Sequence, residues 1–259
     1  MTIKNYISNF LIEGNVNKGD IVLIHSNISE LYKNLIKENF NFSLNDVLDI
    51  FLEHIGPKGT LIFPTFNFTF CKGNFFSSKD TVSEMGSLSE LARIRAGENR
   101  TWHPVYSFAL FGNIPNKEIQ KKNYSAYGED SIFNWLTDVN GKISIINLTD
   151  QNSMTYYHHV EEIMNVDWRF HKNFTGDYID FNDVKKKTTA KIFVRDISKG
   201  IKTDVKNMEK ILWSKNLYKS KYLNSKKGCR SIEIKDLKKE VVTIIKTNKA
   251  KGTLYQIDS

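Results

Sequence analysis

Cysteine is scarce in this 259-residue chain. Cys71 and Cys229 are its only two, which excludes a disulfide framework and offers no close pair for a zinc knuckle, so both read as free thiols. Long apolar runs are also missing. Those at 21–24 and, interrupted by Ser144, at 143–146 are strand-sized and fall far short of the ~20 residues that span a bilayer. The first twenty residues set Lys4, Asn5, Glu13 and Asn15 among their apolar positions, so the continuous core of a secretory signal is absent and a cytoplasmic chain is expected. Neither the Rossmann fingerprint nor the Walker pattern occurs, and Gly59 and Gly73 stand alone, which argues against nucleotide hydrolysis.

What is present is a 40% hydrophobic composition, enough for one large core or two small ones, and a net charge of +8. The charge is uneven: 21 of the 37 Lys and Arg lie from Asp183 onward, leaving the rest of the chain near neutral or acidic. Such a field suits polyanions, either nucleic acid or phosphorylated small molecules, although Lys-rich faces are most often simply solvated. The basic residues are scattered rather than striped, and no finger spacing or aromatic-basic motif accompanies them, so a nucleic-acid partner is not expected.

Apolar spacing predicts a helix over 2–15, a buried strand at 21–24 ending in His25-Ser26-Asn27, and a helix over 43–54 with Ser43 as its cap and Gly56-Pro57 as its stop. A strand follows at 59–64, then a long loop over 65–83 of the kind that overlies a site. Further helices are expected at 87–96, 131–136, 205–213 and 234–248, with strands at 107–111, 142–148, 191–194 and 202–205. The alternation implies an α/β fold with a mixed, largely parallel sheet flanked by helices. No linker or repeat interrupts it, so one domain over 1–259 is expected, with the basic portion from about 185 as a C-terminal elaboration.

The densest titratable cluster is Thr155-Tyr156-Tyr157-His158-His159-Val160-Glu161-Glu162. On a helix His158 shares a face with Glu161 and with Glu162, while His159 points elsewhere. A carboxylate against an imidazole fixes its tautomer and raises its basicity, as a general base requires. An exposed polar helix face would show the same spacing, and a metal-dependent hydrolase would draw on the same residue types together with His25 or His103. A two-histidine zinc motif, however, needs i,i+4 spacing rather than adjacent residues. The stretch Arg100-Thr101-Trp102-His103-Pro104-Val105-Tyr106-Ser107 is a second unusual one, its His103 biased to extended backbone by Pro104. His25-Ser26-Asn27, at the carboxyl end of a buried strand, is a third.

In order along the first two-thirds of the chain, Gly19-Asp20, His25-Ser26, the run 59–66 into Pro64-Thr65, Ser83-Glu84-Met85-Gly86, the run 100–112 with His103-Pro104, Gly128-Glu129-Asp130-Ser131 and Thr155-x-x-His158-x-x-Glu161 resemble the antibiotic, or aminoglycoside, 3-N-acetyltransferase family. The resemblance implies that family's fold and a coenzyme A-dependent N-acyltransferase using acetyl-CoA or another acyl-CoA without a metal. Attack on the thioester would be direct, with His158 as general base and Glu161 as its acid, although Glu161 and Glu162 are not separable at this point. It also implies that His25, Ser26, Asn27, Ser29, His103, Pro104, Ser107 and Phe108 lie along coenzyme A. Glu84, Tyr127, Glu129 and Asp130 are expected to meet the acceptor. Val82, Thr101 and Asn147-Leu148 depart from the family pattern, which points to a changed acceptor pocket shaped by the loop at 65–80. With the basic tail, this favours a nucleotide-linked amino sugar of surface polysaccharide synthesis over an aminoglycoside, the alternative in which the enzyme confers antibiotic resistance. No membrane span is expected, and homodimerisation is left open.

Overall fold

The computed structural model describes residues 1–258. The apolar run at 21–24 offers solvent nothing, and the fold places it accordingly: β1 (Ile21–Ser26) lies inside a six-stranded sheet with Val22 to His25 buried. It pairs in parallel with β2 (Thr60–Pro64) and β5 (Lys142–Ile146), Leu23 standing opposite both Ile62 and Ile143. The outer pairings are antiparallel: β4 (Phe108–Gly112) on β2, and β10 (Cys229–Glu233) on β5 with β9 (Lys219–Ser220) at the edge. The sheet is mixed as expected, with parallel pairing confined to its three central strands.

Alternate residues of each strand face opposite cores. Val22, Ile24, Leu61, Phe63 and Ile146 pack with α1 (Ile3–Glu13), α3 (Leu44–Ile55) and α4 (Ser87–Ala96), which contribute Ile7, Leu11, Phe51, Leu88 and Ala92. Leu23, Ile62, Ile143, Ile145 and Ile232 face the other core, built from α6 (Ile132–Asp138), α7 (Tyr156–Ile163), α8 (Lys206–Ser214) and α9 (Ile234–Lys246). Ser43 caps α3 through a reciprocal box with Asp46, and Gly56, at φ 71°, ends it. Helix α2 (Ser29–Lys37) was not anticipated; it buries Leu31 and Leu35 at i,i+4 and exposes Glu30, Lys33 and Lys37 together with Ile36.

The C-terminal portion is not an elaboration on a finished domain. β10 carries buried residues from Cys229 to Ile232 into the main sheet, with Ile232 opposite Ile143, and α9 adds Leu237 and Val241 to the core. Among the chain's remaining elements are the short helix α5 (Asn116–Ile119) and a small sheet of β8 (Ile201–Thr203) with β11 (Tyr255–Ile257). The expected strand at 191–194 proves to be one end of a long hairpin, β6 (Arg169–Ile179) with β7 (Lys185–Arg195). β6 alternates no clear apolar face with solvent, and so it carries little sequence signal.

The loop at 65–83 docks on this hairpin through β3 (Phe76–Ser77), which pairs with Tyr178 and Ile179. Its anchor is the buried guanidinium of Arg100, which donates to the carbonyls of Thr65, Ser78 and Thr81 and to Ser107 Oγ, and lies 4.7 Å from the centre of the Phe76 ring. The loop is therefore ordered from within, by carbonyls satisfied on one planar fork. No helix among the described residues is long and apolar enough to cross a membrane.

Candidate active site

Helix α7 is fixed at its start by a buried network. Asp150 accepts from Tyr157 and Tyr218 hydroxyls at 2.6 Å each and from Arg230 Nη2 at 3.0 Å, while Glu209 accepts from the Asp150 amide. One face of α7 then presents His158, Glu161 and Glu162. The structure places Glu161 against the imidazole, its Oε2 lying 2.8 Å from His158 Nδ1. Glu161 is 1% exposed. Trp168 Nε1 donates to its other oxygen at 3.0 Å, and Arg169 Nε stands 2.7 Å from Oε2. Arg169 Nη2 also reaches to 2.8 Å from His158 Nδ1.

Burial opposes charge on Glu161, but Arg169, His158 and Trp168 together outweigh it and hold the carboxyl below its ordinary value. Burial and the Arg169 charge hold His158 below 6.5 against the pull of Glu161. At neutral pH the pair is therefore an uncharged imidazole on an ionised carboxylate. A proton on Nδ1 directed at Glu161 leaves the Nε2 lone pair free to take another; a guanidinium hydrogen bond into Nδ1 favours the opposite tautomer. Glu161 and Arg169 thus compete for one nitrogen, and Nε2 keeps its lone pair only while the carboxylate wins.

His159 turns inward, with Nδ1 2.6 Å from the Tyr127 carbonyl, and burial lowers it to about 4. The Tyr127 ring lies against His158 with centroids 5.4 Å apart, and it continues through Tyr106 to Phe66 and Phe68 of the loop at 65–83. This aromatic run is how the loop reaches the imidazole. Of the other expected acceptor groups, Glu129 is exposed, Asp130 accepts from the Tyr124 amide and Glu84 accepts from the Phe68 amide. The last two thereby brace loops on this side.

The residues expected along coenzyme A divide. Asn27 and Ser29 line a cleft of about 860 Å³ that also holds Asn147, Tyr222, Lys221, Lys226 and Lys227. Ser26 borders an adjoining cavity of about 280 Å³ with Gly86 and Ser87. These lie past the carboxyl ends of β1 and β5, where open α/β sheets bind ligands. His103, Pro104, Ser107 and Phe108, by contrast, are buried and offer a ligand no surface. His103 Nδ1 accepts from the Val105 and Tyr106 amides, Ser107 Oγ joins Thr65 and Arg100, and Phe108 packs on Phe66 and Phe133. Their chemistry goes into folding the loop, which corrects the expectation from sequence. His25 is likewise buried, and burial lowers it to about 3.

Trp168 and Arg169 escaped sequence reasoning because they sit on a different element and share no spacing with His158. Among the described residues no three His, Cys, Asp or Glu converge to hold a metal ion.

A neutral imidazole on a buried carboxylate is chemically able to accept a proton from a nucleophile, and a polar, partly cationic cleft lies past the carboxyl ends of β1 and β5. The chain belongs to the aminoglycoside 3-N-acetyltransferase family, whose profile matches residues 23–246. It is accordingly an acyl-CoA-dependent N-acyltransferase. Among solved structures it resembles the aminoglycoside acetyltransferase AAC(3)-Xa, with TM-score 0.75, 16% identity and coverage of 95% of this chain and 92% of that one. AAC-IIIb in a binary complex with CoASH gives 0.76, 14%, 96% and 97%. YokD from Bacillus subtilis gives 0.71, 17%, 93% and 98%. No curated protein sequence matches the chain.

Proposed function

We propose that this enzyme transfers an acetyl group from acetyl-CoA to an amine of an aminoglycoside-type amino sugar, and that it thereby modifies an antibiotic. The observation carrying the reading is the 2.8 Å contact between His158 Nδ1 and the buried Glu161 carboxylate in a chain of this family. Acetyl-CoA supplies an acyl thioester. His158 Nε2 takes the proton of the acceptor ammonium, because only the free amine has a lone pair with which to attack. Glu161 holds the imidazole in the required tautomer and stabilises the imidazolium, as a buried carboxylate does for a catalytic histidine elsewhere.

The donor set of the large cleft fits coenzyme A. Asn27, Ser29 and Asn147 offer hydrogen bonds, and Lys221, Lys226 and Lys227 offer charge for phosphates. This placement also removes the reason for expecting a nucleotide-linked acceptor. The lysines of the basic tail that border a cleft lie at the Asn27 side, where the acyl donor's own phosphates use them, whereas around His158 the charge of Glu161 is matched by Arg169 and Glu162 adds a further carboxylate. An acceptor carrying ammonium groups suits that side better than one carrying a diphosphate.

Thiol release from acetyl-CoA, followed with a chromogenic disulfide, tests the reading on a panel of aminoglycosides and nucleotide-linked amino sugars. Turnover with aminoglycosides that drops ~10²-fold or more in His158→Ala, with coenzyme A binding retained, is expected. Turnover with sugar nucleotides alone would reverse the choice of acceptor, and wild-type turnover in the variant would remove His158 from the mechanism.

A further inference from the structure

In the plane of its ring His158 Nδ1 holds either one proton or one lone pair, yet two groups are aimed at it. Glu161 Oε2, 2.8 Å away, can only accept, and Arg169 Nη2, also 2.8 Å away, can only donate. A proton on Nδ1 serves the carboxylate and sets two hydrogens against each other at the guanidinium. A bare Nδ1 serves the guanidinium and sets two lone pairs against each other at the carboxylate. The two partners differ in freedom. Glu161 is 1% exposed and held by Trp168 Nε1 at 3.0 Å whichever tautomer is present. Arg169 has an alternative: Nη1 donates to the Phe193 carbonyl at 3.1 Å, and Nη2 reaches Thr203 Oγ1 at 3.3 Å. Its Nε lies 2.7 Å from Glu161 Oε2 without a directed hydrogen bond, so the guanidinium can pivot about the Phe193 carbonyl and keep its charge beside the carboxylate. In this ligand-free arrangement Nη2 nevertheless stands closer to Nδ1 than to Thr203, a placement that a lone pair on Nδ1 permits and a proton opposes. Charge reaches the ring from Glu161 on α7, Arg169 on β6 and Arg195 on β7. Glu162, one turn along α7, is turned to Ser125 and His171, and the uncharged Tyr127 ring stands against the imidazole. The His158 side chain is 20% exposed, so water reaches it with or without an acceptor.

We propose that Arg169 is a positioning residue that locks the resting imidazole with its lone pair on Nδ1 and its proton on Nε2, and that an ammonium group docking at Nε2 releases the lock. This rests on the reading of His158 as general base. An ammonium group can only donate, so it binds only the tautomer whose Nε2 carries a lone pair. Binding therefore draws the proton to Nδ1 and Glu161, and Nη2 withdraws to Thr203. Water can instead accept from Nε2–H, and so it leaves the lock closed. The consequence is protection of the acyl donor. In hydrolysis a water oxygen bonds to the thioester carbonyl carbon, one of its protons passes to Nε2, and the C–S bond breaks with that proton moving on to the sulfur, giving acetic acid and the free thiol. With Nε2 already protonated, that reaction has no base until an amine arrives.

The test begins on the unmodified protein, with nitrogen-15 spectra of histidine-labelled enzyme at neutral pH and His158 assigned by its loss in His158→Gln. Expected is a protonated Nε2 in the free enzyme and a protonated Nδ1 once an aminoglycoside is bound. A free enzyme with the proton already on Nδ1, or a complex that keeps it on Nε2, overturns the lock, and neither result needs the Arg169 variant to fold. In Arg169→Met the free enzyme carries the proton on Nδ1. Acetyl-CoA hydrolysis, followed as thiol release with no amine present, rises ~10–100-fold relative to transfer, the factor that one hydrogen bond to a charged group imposes on the tautomer equilibrium. The acid limb of kcat/KM moves up by ~1 unit or more, because a cation beside the imidazole is gone. A merely structural role for Arg169 depresses hydrolysis and transfer together and leaves the tautomer and the acid limb unmoved, and that result overturns the proposal. Wild-type silence with every amine overturns the acceptor reading alone, since the tautomer of the free enzyme decides the lock independently.

Discussion

Replacing Glu161 by Gln should injure stability and catalysis by separable routes. Glu161 and Arg169 have side chains 2% and 6% exposed, with Oε2 and Nε 2.7 Å apart, so solvent screens the pair little. Removing one partner of such a pair leaves the other charge buried, at a cost of ~3–5 kcal/mol. Arg169 keeps its hydrogen bonds to the Phe193 carbonyl and Thr203 Oγ1, which places the expected loss toward the lower end. At ~2–4 °C per kcal/mol for a chain near this length, the thermal midpoint drops by roughly 10 °C. Turnover falls for another reason: a Gln that offers its amide nitrogen to His158 forces Nδ1 to accept and puts the proton on Nε2, which abolishes the base and costs ~10²–10⁴ in kcat. The double variant Glu161→Gln/Arg169→Met separates the two effects, because it removes the orphaned charge without restoring the carboxylate. Calorimetric midpoints and thiol-release rates on the three proteins decide the matter. Expected is partial recovery of the midpoint in the double variant with no recovery of kcat. Recovery of turnover along with stability would show that Glu161 acts only as a packing partner of Arg169, and wild-type turnover in Glu161→Gln would refute the argument outright.

Three further outcomes follow from the geometry. His158 is held below 6.5, so with an acceptor of weakly basic amine the acid limb of kcat/KM has its midpoint under 6.5; a limb centred above that value would mean Glu161 dominates over burial and Arg169. His25 and His103 are lowered to about 3 and His159 to about 4, against 6.5 when unfolded. Below 6.5 the unfolded chain therefore binds more protons, and stability falls as pH drops from there toward 4. The loss is about 2 kcal/mol per imidazole at pH 5, roughly 6 in all, visible as a falling urea midpoint; a flat profile between pH 7 and 5 would contradict their burial as neutral rings. Gly112 has φ 96°, and a Cβ there would lie 2.2 Å from the Gly59 carbonyl, so Gly112→Ala lowers stability by ~2–3 kcal/mol in urea titration. Wild-type stability would mean that the β2–β4 edge yields easily.

Features set by neighbours in the chain were legible from the sequence alone. The strand at 21–24, the Ser43 cap with its Gly56 stop, and the placing of His158 and Glu161 on one helix face depend on local periodicity and local hydrogen bonds, which the order of residues states directly. The ordered motifs around Pro64-Thr65, His103-Pro104 and His158 were enough to indicate the family. Contacts between distant segments were decided only by the fold. Nothing local says that Arg169 will reach His158 from β6, that β10 will complete the main sheet, or that His103 and Ser107 will turn inward to hold a loop. Nor does spacing choose between Glu161 and Glu162, since i,i+3 and i,i+4 share a face equally well. Trp168 and Arg169 on one side, with Ser125 and His171 on the other, sort the two carboxylates into different roles, because charge, burial and hydrogen-bond partners belong to the assembled surroundings of a side chain and not to its position in the sequence.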